Sequence, residues 1–90
     1  MSVKIYMPVS MYRYTNNVRV VELEGSTVGE CLQQLIVKFP DVRKAIFTSE
    51  GKMVRQLGVY LNMISLREDV LAAPVEDGDE IHLIFVLAGG

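Results

Sequence analysis

Thr27-Val28-Gly29-Glu30-Cys31-Leu32-Gln33-Gln34-Leu35-Ile36-Val37-Lys38-Phe39-Pro40 is the stretch from which the fold is read. Val28, Cys31, Leu32, Leu35, Ile36 and Phe39 fall at i, i+3, i+4, i+7, i+8 and i+11, the single apolar stripe of an amphipathic helix. Thr27 and Glu30 have the spacing of a capping box, whose hydroxyl and carboxylate satisfy amides that lack an intrahelical partner. Pro40 has no N–H and disfavours helical geometry at Phe39, so the helix ends there. A helix with one apolar stripe has to lie on another element, and strands flank it on both sides.

Towards the N-terminus, Val3, Ile5, Met7 and Val9 alternate with Ser2, Lys4 and Tyr6, which predicts a strand buried on one face. Thr15-Asn16-Asn17 is a turn signal, because Asn tolerates positive φ, and residues 18–23 after it are rich in β-branched side chains, so a hairpin is expected. The apolar phase slips between Val18/Val20 and Val21/Leu23, which fits either a bulge or burial on both faces. Towards the C-terminus, residues 41–47 suit a short second helix, 48–51 an exposed turn and 58–62 a strand, with Asn62 opening the next turn. Arg67, Glu68 and Asp69 mark a solvated stretch, and Pro74 with Asp77-Gly78-Asp79 leads into a last strand over residues 80–87. In that strand Ile81, Leu83, Phe85 and Leu87 share one face and His82, Ile84 and Val86 the other. It is therefore either central with both faces covered or keeps an apolar patch for a partner. The order strand, strand, helix, strand, strand predicts an α+β, β-grasp-like (ubiquitin-like) mixed sheet. One main helix packs on one face, and the last strand runs parallel to the first in the middle.

Ninety residues, half of them hydrophobic, with a mean hydropathy of +0.26 and no repeat or linker, describe one domain over residues 1–90. Such a chain is too small to wall off a large active site, which favours a carrier or binding module over an enzyme acting alone. A net charge of -2 gives no basic excess for nucleic acid. One cysteine and one histidine exclude an internal disulfide and leave no ligand set for a structural metal or a cluster, so no metal is expected. The first twenty residues lack the continuous apolar core of a signal peptide, and the longest apolar stretch, residues 83–88, is far below the ~20 needed to span a membrane. A cytoplasmic protein with no membrane partner is the expectation.

Internal catalytic constellations are lacking. His82 has no nucleophile paired with it by any motif and reads as a surface or edge residue, and Cys31 sits within the apolar stripe as a small buried hydrophobe. Glu76, Asp77, Asp79 and Glu80 lack calcium-loop spacing and read as a solvated turn. Gly25, Gly29 and Gly51 form no phosphate loop. What remains is the end, Leu87-Ala88-Gly89-Gly90, since two terminal glycines arise by chance in roughly 1 chain in 200. Without Cβ atoms, Gly89 and Gly90 can thread a narrow channel after Ala88 and present the α-carboxylate of Gly90 as the reactive group. That carboxylate is ionised at neutral pH and is a poor electrophile until it is joined to a good leaving group such as AMP, after which a sulfur nucleophile could convert it to a thiocarboxylate. Nothing in the chain performs this activation, so a partner has to bring ATP. Phe85 and Leu87, next to the tail, are the candidate partner-binding residues, although Phe85 suits a core position equally well.

Thr27-Val28-Gly29-Glu30-Cys31-Leu32, Val59-Tyr60-Leu61-Asn62, Asp77-Gly78-Asp79-Glu80-Ile81 and Ala88-Gly89-Gly90 together resemble the ubiquitin-like sulfur carriers (MoaD/ThiS), which include the small subunit of molybdopterin synthase and the carrier of thiamine synthesis. The resemblance covers nearly the whole chain. It implies a β-grasp fold and no bound cofactor. It also implies adenylylation of Gly90 by a ubiquitin-activator-like adenylyltransferase that uses ATP, then sulfur carried as a C-terminal thiocarboxylate to a sulfur-accepting synthase subunit. Many relatives have prolines before the tail, where this chain has Ile84-Phe85-Val86-Leu87. The longer segments around Arg13-Tyr14-Thr15 and Gly51-Lys52-Met53 are similar to a subgroup serving cysteine synthesis. The resemblance therefore implies a carrier of the molybdopterin synthase small-subunit type, with carriers for cysteine or thiamine synthesis, and a ubiquitin-like modifier conjugated through Gly90, as alternatives. A noncovalent adaptor working through the last strand is a further reading.

Overall fold

The structure is a computed structural model and describes residues 1–86. Five strands form one mixed sheet: β1 (Ser2–Tyr6), β2 (Val20–Glu24), β3 (Leu57–Leu61), β4 (Ile64–Leu66) and β5 (Glu80–Phe85), in the order β2-β1-β5-β3-β4. β5 is central, parallel to β1 on one side and antiparallel to β3 on the other. α1 (Val28–Lys38) lies across one face, and a turn of 3-10 helix (Pro40–Val42) leads into the short α2 (Arg43–Ile46).

Alternation decides which side chains meet the helix. Val3 and Ile5 of β1, Val21 and Leu23 of β2, Val59 of β3, and Ile81 and Leu83 of β5 are all buried, and Val28, Cys31, Leu32 and Leu35 of α1 close the core over them. Ile36 and Phe39 pack at its margin. A fully buried leucine such as Leu32 or Leu35 contributes about 2–3 kcal/mol, so this stripe seats the helix firmly. Gly29 is the helix position where a side chain would not fit, since a Cβ there would stand 2.9 Å from the carbonyl oxygen of Leu71.

The helix start differs in detail from the capping box. The Thr27 hydroxyl accepts from the Glu30 amide at 3.1 Å, but the Glu30 carboxylate accepts from the Ser26 amide at 2.9 Å and the Ser26 hydroxyl at 2.8 Å, rather than from Thr27. Residues 26–28 instead pair with a second stretch of chain: the Val28 amide donates to Ala73 and the Val75 amide to Ser26. Pro40 follows Phe39, the last cap, as the sequence predicts.

Four expectations change. Val9 is not part of β1: Pro8, which has no amide to donate to a ladder, caps a 3-10 turn (Val9–Tyr14) that leaves Val9 77% exposed and buries Met11 instead. The phase slip in β2 involves neither a bulge nor double burial. Residues 2–6 pair one to one with 24–20, and Val18 and Val20 are exposed. His82 is on the central strand, not at an edge. β4 is an additional strand, joined to β3 by Asn62-Met63, both with positive φ (49° and 71°), as a two-residue type I′ hairpin requires. Asn16 and Asn17 take positive φ as predicted, and the Thr15 hydroxyl, wholly buried, donates to the carbonyl of Val18 at 2.7 Å.

Candidate functional site

Because β5 is central and runs out of the sheet next to the end of β1, the chain that follows it leaves from the end of the molecule built by residues 7–19 and 39–56. The β3–β5 ladder holds up to the exit: Phe85 pairs with Leu57, and the Val86 amide donates to the Gln56 carbonyl at 2.7 Å. Leu87, Ala88, Gly89 and Gly90 lie outside the described residues.

The two faces of this exit differ. On the helix side Phe85 is half-buried against the core and forms one wall of an open groove of about 580 Å³, with Tyr14, Ala45 and Val54 contributing apolar surface over the buried Met11 and Arg13 and Lys44 standing at its edge. The Arg13 guanidinium rests 5.0 Å from the centre of the Tyr14 ring. On the opposite side of the sheet, strand register aligns Val20, Tyr6, His82, Tyr60 and Ser65 in one row. The Tyr6 and His82 rings stack with centroids 4.2 Å apart and planes 4° from parallel. His82 Nδ1 is buried with no hydrogen-bond partner among the described residues. Beyond this row towards the tail, Ile84 and Val86 are 43% and 56% exposed. The apolar residues that β5 presents to solvent at the tail's root are thus Ile84 and Val86, on the face opposite Phe85. Of the expected partner residues, Phe85 is on the half-buried face, and Leu87 lies outside the described residues.

The other reactive side chains are engaged structurally. Cys31 is wholly buried, and burial, then the neighbouring Glu30 charge, pushes its thiol up, away from the nucleophilic thiolate. In the acidic turn, Asp77 accepts from the Ser2 amide at 2.8 Å, Asp79 from the Glu76 amide at 2.8 Å, and Glu80 from the Tyr6 hydroxyl at 3.3 Å. Among the described residues no group of three His, Cys, Asp or Glu side chains is placed to hold a metal ion, and no helix is long and apolar enough to cross a membrane.

The ThiS family model matches residues 9–90, nearly the whole chain. The chain belongs to the ThiS family. Among solved structures, this ThiS-family chain is similar to a chain of the Amycolatopsis orientalis BexX/CysO complex, with 30% identity over 98% of its length and 99% of the other, and a TM-score of 0.85. SAMP1 from Haloferax volcanii superposes with a TM-score of 0.86 at 22% identity, covering both chains completely. CysO of Mycobacterium tuberculosis, described as an antigen, gives 0.86 at 23% identity over 94% of this chain and 99% of its own. These structures show a ubiquitin-like β-grasp fold. No curated protein sequence matches.

Proposed function

We propose that this ThiS-family protein is a sulfur carrier whose working group is the α-carboxylate of Gly90. The observation that carries the reading is the family match, which runs through residue 90, combined with a central strand that leads out of the sheet at residue 86, at one pole of the domain. In the first step the Gly90 carboxylate oxygen attacks the α-phosphorus of ATP on a ubiquitin-activator-like adenylyltransferase. A C–O–P anhydride forms and pyrophosphate leaves. In the second, hydrosulfide supplied by a sulfur donor attacks the carbonyl carbon, the C–S bond forms, the anhydride C–O bond breaks, and AMP departs to leave the thiocarboxylate. The carrier contributes a carboxylate on two residues without side chains, Gly89 and Gly90, with Ala88 as the next smallest, so that the enzyme's channel can close around the reacting carbonyl. The protein binds no cofactor of its own and acts as a cosubstrate in the cytoplasm.

The accepting enzyme docks at the root of the tail, where Phe85 on one side and Ile84 and Val86 on the other supply apolar contact, with Leu87 next in the chain. The similarity at 30% identity to a chain of the BexX/CysO complex supports a CysO-like carrier working in a complex with its acceptor, in preference to a molybdopterin synthase subunit. Intact-mass spectrometry tests the chemistry. With the activating enzyme, ATP and sulfide, the full chain gains the mass of one oxygen-to-sulfur exchange, and a chain lacking Gly90 gains none. An isopeptide-linked adduct through Gly90 as the sole product would replace the carrier by a protein modifier. Unchanged function with a residue appended after Gly90 would leave only an adaptor.

A further inference from the structure

The net charge of -2 conceals a separation of charge along the molecule. Residues 7–19 and 39–56, which surround the exit of β5, carry Arg13, Arg19, Arg43, Lys44, Lys52 and Arg55, all exposed, against only Asp41 and Glu50. Residues 20–30 and 74–80 hold seven of the eleven carboxylates and not one Lys or Arg. The registers place these segments at the other end: the Lys4 amide bonds to Asp79, Gly78 to Ser2 and Gly25 to Met1. A strand of five or six residues, about 17–20 Å, separates the two ends, and the Debye length in physiological salt is about 8 Å, so a partner at one end scarcely feels the other. Among the described residues the one ion pair is Met1 to Glu24, at the acidic end, so carboxylates of the chain itself do not neutralise the basic end there.

We propose that the basic end docks on an acidic protein surface, the rim of the enzyme channel that receives the tail, with an apolar side chain of that rim seated in the groove between Phe85, Tyr14 and Val54. This rests on the carrier reading above and names the chemistry of its partner. Charge complementarity selects the sign of the surface, and the position selects its nature, because whatever processes Gly90 has to enclose the end from which residue 86 leads. A protein fits better than a nucleic acid. The concavity at the centre of the patch is apolar, and the Tyr14 and Tyr12 rings that could stack bases already carry the guanidinium groups of Arg13 and Arg19, at 5.0 and 5.4 Å.

Two measurements test this, and they fail separately from the carrier reading. In the first, the isotope-labelled full chain is titrated with the acidic peptide acetyl-Glu-Leu-Asp-Glu-Leu-Asp-amide, its lysine counterpart and a single-stranded oligothymidylate. The acidic peptide should shift the amide resonances of Arg13, Tyr14, Lys44 and Gln56 saturably, more weakly as salt is raised, and leave residues 76–80 unmoved. No shifts, shifts at the acidic end, or tighter binding of the oligothymidylate would overturn the proposal. In the second, adenylylation by the activating enzyme of the same cell is followed. The Lys44→Glu/Arg55→Glu variant, its fold confirmed by its amide spectrum, should lose about tenfold in kcat/KM through KM with kcat retained, as expected for a docking surface remote from the reacting atoms. Glu24→Lys/Glu76→Lys, at the acidic end, should stay within about twofold. Equal losses in the two variants would refute the docking surface, whereas wild-type chain that no activator adenylylates would refute the carrier reading and leave the peptide titration to decide the surface.

Discussion

Asp79 accepts a hydrogen bond at each carboxylate oxygen, from the Asn62 side chain at 3.0 Å and from the Glu76 amide at 2.8 Å, while Asn62 in turn accepts from the Glu80 amide at 2.9 Å. These bonds tie the β3–β4 turn to the turn before β5, and they hold the Asp79 carboxyl below the ordinary aspartate range, the Asn62 bond first and the Glu76 bond second. A depressed folded pKa stabilises the native state above the unfolded aspartate's pKa, and that stabilisation is lost as pH falls through the folded value. Asp79→Asn keeps one acceptor oxygen and replaces the other by an amide that has to face the donor from Glu76 or Asn62. The variant is expected to lose roughly 0.5–1.5 kcal/mol at neutral pH, the ordinary size of one net hydrogen bond, and the gap to wild type should close in acid. Urea melts at pH 7 and near pH 3 measure both quantities, and a gap that widens in acid would contradict the assignment. The Asp77-Gly78-Asp79 signature announces a turn, but no local pattern announces that Asp79 reaches Asn62, because the partners are 17 residues apart.

At the level of elements, legibility follows the length of the periodic signal. Six stripe positions reveal α1, and alternation over residues 80–87 reveals a strand with two apolar faces, whose central place and open outer face need the sheet's pairing to be seen. β4 has only three residues and begins after Met63, where a glycine would have marked the hairpin. Val9 continues the alternation of β1 past the proline that ends the strand. The groove at the tail's root joins Arg13, Lys44 and Phe85 from three separate segments, so no stretch of sequence displays it, whereas the terminal glycines are read from the sequence alone and lie outside the described residues. The missed hairpin makes its own prediction. Met63 sits at φ 71° with 73% of its surface exposed, so Met63→Gly relieves a left-handed conformation and gives up little packing. The resulting Asn-Gly is the preferred type I′ pair, and the variant should gain about 1 kcal/mol despite the extra freedom of glycine in the unfolded chain. Chemical denaturation decides this, and a destabilised variant would mean that Met63 packs in a way its exposure does not suggest.

For the molecule as a whole, an excess of one sign of charge is gathered at each end of the domain, and this affects stability as well as recognition. Neighbouring cations around the groove and neighbouring carboxylates in residues 76–80 repel across distances shorter than a Debye length in dilute buffer, while the N-terminal ammonium and Glu24, 3.5 Å apart and largely exposed, contribute little attraction. Added salt therefore screens more repulsion than attraction. The melting temperature should rise between about 20 and 300 mM sodium chloride, a salt chosen because it lacks the strong surface exclusion of sulfate or phosphate. Reversing Lys44 and Arg55 to glutamate, as in the docking test, should raise the melting temperature in dilute buffer and flatten its salt dependence, by placing carboxylates among the remaining cations. A wild-type chain that melts lower in salt would show that attraction dominates its native charge pattern. Stabilisation by the same reversal that slows activation would place the basic end among features kept for docking at the expense of stability, the relation expected of a surface selected for its partner.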